Sequence, residues 1–172
     1  LHPSDDGSLA APLLHAVAFP QPSMRFNDGR TDRQGRFWVS SLVRDPAGDK
    51  SAGALYRLDG SGLRLTGIAG LMTGNGLAFS PDGRVMYLSD SHPSVRLVWA
   101  FDLGDDGLPH RRRLFVDMNR YPGRPDGAAV DADGGYWICG NDAGLVHRFT
   151  PEGRLDRSLP VPAAKPSMCA FG

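Results

Sequence analysis

The chain has 172 residues, a length for one domain, and 19 lysines and arginines balance 19 acids, so the zero net charge disfavours a nucleic-acid binder working through a basic field. Apolar residues make up 41%, enough for a core, while 22 glycines and 14 prolines point to many turns and few long helices, against both disorder and a helical bundle. No apolar run approaches the roughly 18 residues of a membrane-spanning helix and Leu1 to Ala10 has no leader pattern, so a soluble, cytoplasmic chain with no membrane partner is expected.

The first motif in chain order is Asn27-Asp28-Gly29-Arg30-Thr31-Asp32-Arg33-Gln34-Gly35-Arg36-Phe37-Trp38, with a tight turn at Asp32 to Gly35. Short alternating runs follow at 53–59 and from Leu63 to Ile68. The cycle restarts at Asn75-Gly76-Leu77-Ala78-Phe79-Ser80-Pro81-Asp82-Gly83, with strand-like runs at 95–102 and from Arg113 to Asp117. It restarts again at Asp126-Gly127-Ala128-Ala129-Val130-Asp131-Ala132-Asp133-Gly134-Gly135-Tyr136-Trp137, with runs at 144–150 and from Leu155 to Leu159. A fourth copy begins at Ser167-Met168-Cys169-Ala170-Phe171.

The turn glycines Gly35, Gly83 and Gly134 are 48 and 51 residues apart. Four short strands in a repeat of about 50 residues suit a blade of a β-propeller. A sandwich would also give many short strands, but it does not require one sequence to recur at this beat. Propellers close with about four to eight blades, and about three and a half fit here, so the expected architecture is an all-β, incomplete propeller domain over 1–172, with about four blades of four-stranded antiparallel sheet and truncated at both ends.

Asn27, Asn75 and Asp126 each stand eight residues before their turn glycine. Equal offset means equal place in each blade, at the start of the first strand, and first strands line the central channel of a propeller. A ring of amide and carboxylate oxygens there suits a hard divalent cation completed by water. The same residues also suit turns, because each is followed by glycine directly or after one residue. The hairpin turns are already supplied by Asp32 to Gly35, Pro81 to Gly83 and Asp131 to Gly134, and the two readings are compatible.

Other features point elsewhere. Cys139 and Cys169 lie 30 residues apart with no second pair, which fits neither a disulfide framework nor a Cys-rich zinc site, and both are expected to be buried. The five histidines have no ligand-like spacing, and His147 is expected to be packed or at the surface. Arg111-Arg112-Arg113 reads as a solvated hairpin, and Glu152, the sole glutamate, as an exposed turn residue.

Arg25-Phe26-Asn27-Asp28-Gly29, Asn75 to Gly83 with Leu88-Ser89-Asp90-Ser91, Pro125-Asp126-Gly127 with Trp137, and the closing Pro166 to Gly172 together resemble the senescence-marker protein/gluconolactonase/luciferin-regenerating-enzyme family, which includes regucalcin. The resemblance implies a six-bladed propeller with one divalent metal in its channel (calcium, zinc, magnesium or manganese) and hydrolysis of a small sugar lactone. By position, it makes Asn75 and Asp126 metal ligands, Asp126 the general base, and Arg25 and Asn27 substrate-binding; Ser167 holds the equivalent place in the next repeat. The family's third protein ligand is a glutamate in its first blade. No glutamate precedes Glu152, so that ligand is expected upstream of Leu1 or absent, and the isolated chain is expected to be inactive. The stretch Val39-Ser40-Ser41-Leu42-Val43 departs from the family's glycine-containing pattern. The alternative is a non-catalytic propeller that binds calcium or another ligand.

Overall fold

The computed structural model describes residues 2–3, 9–10, 15–45 and 50–171. Strands β1 (His2–Pro3) and β2 (Leu9–Ala10) form a two-stranded antiparallel ladder. The other twelve strands make three four-stranded antiparallel sheets. The first contains β3 (Met24–Thr31), β4 (Phe37–Val43), β5 (Gly53–Asp59) and β6 (Gly62–Leu71). The second contains β7 (Gly74–Phe79), β8 (Val85–Asp90), β9 (Leu97–Leu103) and β10 (Pro109–Asp117). The third contains β11 (Arg124–Val130), β12 (Tyr136–Asn141), β13 (Leu145–Phe149) and β14 (Leu155–Pro160). Each sheet is an up-and-down meander in chain order, the connectivity of a propeller blade.

The sheets pack face to face. Trp38, Leu55 and Leu71 of the first interlock with Leu77, Phe79, Met86, Leu88, Trp99 and Phe101 of the second. The opposite face of the second sheet, with Ala78, Tyr87, Val98 and Ala100, packs on Ala128, Tyr136, Ile138 and Phe149 of the third. A blade covered on both faces needs apolar side chains on both, which is why β7 and β8 read as nearly continuous apolar runs. The first strands come together, with β7 against β3 on one side and β11 on the other. They are the inner strands.

The turns between first and second strands follow the repeat. Gly35, Gly83 and Gly134 have φ of 79°, 70° and 82°, and their amides close onto the carbonyls of Asp32, Ser80 and Asp131 at 3.1, 2.9 and 3.1 Å. A side chain is strained in that left-handed region, so glycine recurs there. In the outer two blades the turn is clamped from the side. Asp32 accepts from Trp38 Nε1 at 2.7 Å and Arg36 Nε at 2.6 Å, while Asp131 accepts from Trp137 Nε1 at 2.7 Å and Arg148 Nε at 2.8 Å. The middle blade has Tyr87 in place of the tryptophan, and Ser80 Oγ donates to Asp82 at 2.6 Å while accepting from the Val85 amide at 2.9 Å.

Two expectations are adjusted. Three complete blades are present among the described residues; the fourth repeat, 167–171, forms no strand but lies along β11, where the Ser167 carbonyl accepts from the Gly127 amide at 2.9 Å. Cys139 is buried but Cys169 is only half-buried, because that flanking stretch has a single sheet to lie against. Arg111 to Arg113 lie, as expected, on a solvated hairpin: they are exposed on β10, where Arg113 pairs with Asp102 at 2.5 Å and the Arg112 guanidinium lies 4.1 Å from the Trp99 ring centre. His147 is fully buried between Ser158 Oγ and the Pro122 carbonyl at 2.8 and 2.9 Å, and Glu152 is exposed.

Candidate functional site

Each inner strand carries a break in register at its start. Residues 27 and 28 stand against Ser40, 76 and 77 against Leu88, and 126 and 127 against Cys139, two residues opposing one. Such bulges re-aim side chains that a regular pleat would send up or down the sheet face. Asn27 and Asp126 sit within their bulges and Asn75 flanks its own. Their equal offset in the sequence is thus an equal place in three adjoining blades.

Asn75 is buried, and its Nδ2 donates to Ser91 Oγ at 2.7 Å. That contact orients the amide so that Oδ1 accepts from Asn27 Nδ2 at 3.2 Å; the same nitrogen donates to the Gly74 carbonyl at 2.9 Å. Asn27 Oδ1 in turn accepts from a terminal nitrogen of Arg25 at 2.9 Å, which also donates to the Phe26 carbonyl at 2.7 Å. Three of the residues singled out in the sequence, Arg25, Asn27 and Asn75, therefore form one hydrogen-bonded chain across two blades.

Asp126 lies on the third inner strand, half-buried, with Oδ2 accepting from Asn141 Nδ2 at 2.7 Å. Burial raises its carboxyl above the usual aspartate range, against the pull of Asn141 and of the Arg124 charge. It makes no hydrogen bond to Asn27 or Asn75 among the described residues, and its charge is felt by Asp28, the neighbour of Asn27. The Asp28 carboxylate is buried and accepts from the Leu77 amide at 2.8 Å. Burial pushes its pKa up, the Leu77 amide and Arg30 pull it down, and the charge of Asp126 pushes it up again. A buried and a half-buried acid on the first and third inner strands thus feel each other. Gly127 lets the chain close behind Asp126, since a Cβ there would fall 2.5 Å from the Ser167 carbonyl.

Sequence reasoning missed Asp28, Ser91 and Asn141. Asp28 stands in an Asn-Asp-Gly string that reads as a turn, and only the bulge turns it inward. Ser91 lies in a motif already noticed, Leu88 to Ser91, but its partner is 16 residues away. Asn141 gives no local signal.

The donor chemistry suits a hard divalent cation in kind: an amide oxygen from Asn75 and carboxylate oxygens from half-buried Asp126 and buried Asp28, acids whose charged forms a nearby cation would favour. The set is partial, because no group of three or more His, Cys, Asp or Glu side chains gathers around one point among the described residues. No helix among them is long and apolar enough to cross a membrane.

Comparison with known proteins places this arrangement. The chain is 40% identical over 149 residues to the 6-deoxy-6-sulfogluconolactonase of Pseudomonas putida, covering 86% of this chain and 50% of that protein. It is 32% identical over 153 residues to regucalcin of Danio rerio, covering 88% and 52%. The crystal structure of regucalcin, a calcium-binding protein from Agrobacterium tumefaciens, superposes with a TM-score of 0.77 at 28% identity, covering 86% of this chain and 49% of that one. The chain spans about half the length of the curated relatives it matches. Repeats, blades and bulges agree with a family match that runs over residues 4–172, and the chain belongs to the family described as SMP-30/Gluconolactonase/LRE-like region.

Proposed function

We propose that these residues form part of the centre of a metal-dependent sugar-lactone hydrolase of the gluconolactonase type. The observation that carries the reading is the hydrogen-bonded chain Arg25–Asn27–Asn75 at the inner strands, with the half-buried carboxylate of Asp126 at the matching bulge of the next blade. The sulfogluconolactonase and regucalcin likenesses support it.

Asn75 and Asp126 would hold the cation, calcium, magnesium, manganese or zinc, which when bound supplies Lewis-acid polarisation of the lactone carbonyl. Asp126 takes a proton from the attacking water as its oxygen bonds to the carbonyl carbon. The ring carbon–oxygen bond then breaks, the ring oxygen keeps the electron pair and takes up a proton, and the product is the open aldonic acid. Asn141 holds the Asp126 carboxylate in one orientation and favours its ionised form, the form a base requires. Arg25 presents its planar fork to a hydroxyl or carboxylate of the sugar, and Asn27, fixed between Arg25 and Asn75, orients another hydroxyl.

The test is acid release from gluconolactone by the native protein that contains these residues, with and without added divalent metal. Asp126→Asn is expected to lower the metal-dependent rate by about 10²–10⁴-fold, the usual span for a lost general base, with its circular dichroism unchanged. Undiminished turnover in that variant would remove the centre of the reading.

A further inference from the structure

The first two strands of the first blade carry a polar feature that the hydrolytic step does not use. In the β3–β4 register Arg25 stands opposite Leu42, and the Arg44 amide donates to the Ser23 carbonyl at 3.3 Å. That bond carries the chain just past the end of β4 alongside the turn leading into β3, so Arg44 lies beside the start of the strand that holds Arg25. Arg25 leads by hydrogen bonds to Asn27 and then to Asn75. Asn75, Asn27 and Arg25 therefore form a hydrogen-bonded row whose Arg25 end lies beside Arg44.

Ser23, Met24, Arg25, Arg44 and Asp45 line an open cavity of about 440 Å³ at the outer end of that row. Like charges lining one cavity repel unless something answers them. Among the described residues the Arg44 guanidinium has no hydrogen bond and no ion pair, and Arg25 uses one terminal nitrogen on Phe26 and Asn27. Lys50 adds a third positive charge alongside, its ammonium donating to the carbonyls of Val43 at 3.2 Å, Arg44 at 3.5 Å and Asp45. One carboxylate in the lining, Asp45, leaves the cavity net positive.

We infer that this cavity is an anion subsite in which Arg25 and Arg44 together take an oxyanion carried by the substrate. Guanidinium groups bind sulfonate, phosphate or carboxylate oxygens through paired N–H donors, and two of them converging can hold two edges of one group. Resting on the lactonase reading, the inference names the substrate class: a sugar lactone whose far end, away from the ring carbonyl, bears a negative charge. Arg44 is then a specificity residue and takes no part in the chemical step.

The experiment compares kcat/KM for gluconolactone and 6-phosphogluconolactone in the native protein and in Arg44→Gln. The wild type is expected to favour the anionic lactone, a preference that shrinks as salt rises. Arg44→Gln is expected to lose about tenfold or more on the anionic substrate, chiefly through KM, and to stay within about twofold on the neutral one. Equal losses on both substrates, or none on either, overturn the subsite while leaving the lactonase reading standing. Absence of turnover on both lactones overturns that reading instead, and calorimetry with 6-phosphogluconate and gluconate then judges the subsite. Tighter binding of the phosphate that disappears in Arg44→Gln supports it, and equal binding rejects it.

Discussion

The carboxyl of Asp126 is set by a contest between burial, which raises its pKa, and the Asn141 amide, which lowers it. In the metal-free protein the Asp126 carboxyl is therefore expected to titrate above the ordinary aspartate value of 3.8, read from its carboxyl resonance by NMR. Replacing Asn141 by leucine removes the stabilising donor, and that titration is expected to move to still higher pH. An asparagine that did not act on the carboxylate would leave the titration where it was. Asp28 gives the same physics a stability readout. Its folded pKa is raised, so its favourable contribution is complete below the unfolded value and declines as pH rises through the folded one. Asp28→Asn keeps an acceptor for the Leu77 amide while deleting a buried charge. Its urea midpoint at pH 7 is expected to exceed the wild-type midpoint, with the difference vanishing in acid.

Among elements, the clamped turns show what a sequence repeat fixes and what it leaves open. Asp131 is held at a pKa of about 2 by Arg148 and Trp137 against the cost of burial. Its contribution is present above the unfolded aspartate value and is lost as pH falls from about 4 toward about 2, where acid unfolding should steepen. Trp137→Phe deletes the indole donor to a charged acceptor and is expected to cost about 1.5–3 kcal/mol in urea denaturation, with the larger loss at neutral pH. The strand order and the turn glycines were legible because a blade cannot change its beat without losing its neighbour. Asn27, Asn75 and Asp126 stand on the first strands as their equal offset leads one to expect, but Asn75 flanks its bulge where the other two lie inside theirs, a difference the offset did not carry. The partners were not. Asn141 reaches Asp126 from the second strand of its blade and Ser91 reaches Asn75 from beyond the second strand of another, contacts that depend on register and bulge rather than on local spacing. Arg111 to Arg113 were legible as a solvated hairpin, since a charged triplet suits the exposed outer strand β10, but their partners Asp102 and Trp99 across the pairing were not.

Across the molecule, the blades are tied by polar contacts as well as by their apolar faces. Arg57 reaches from β5 to the Gly107 carbonyl at 2.6 Å in the turn between β9 and β10, and is held by Asp59 at 2.9 Å. Tyr136 of the third blade donates to the Gly76 carbonyl of the second at 2.7 Å, and Arg30 of the first reaches the Ala128 carbonyl of the third. Removing Arg57 leaves the Gly107 carbonyl without its donor while Asp59 keeps Arg64 and the Ser61 amide, so Arg57→Ala is expected to destabilise the fold by about 1–3 kcal/mol, read from the urea midpoint. Catalysis at this scale depends on how many oxygens surround the cation. With Asn75 and Asp126 as the two candidate ligands among the described residues, the 172-residue chain alone is expected to release little acid from gluconolactone even at saturating metal. Turnover by that chain comparable to a complete lactonase would contradict the two-ligand account.

The aspartate clamps and the polar row lie at opposite ends of the same inner strands. Asn27 and Asp32 are five residues apart, a separation of about 16 Å along an extended chain. Substitutions at Arg25 or Arg44 are therefore expected to leave the far rim intact, where aspartate grips tryptophan in the first and third blades and goes on bolting down those two hairpins.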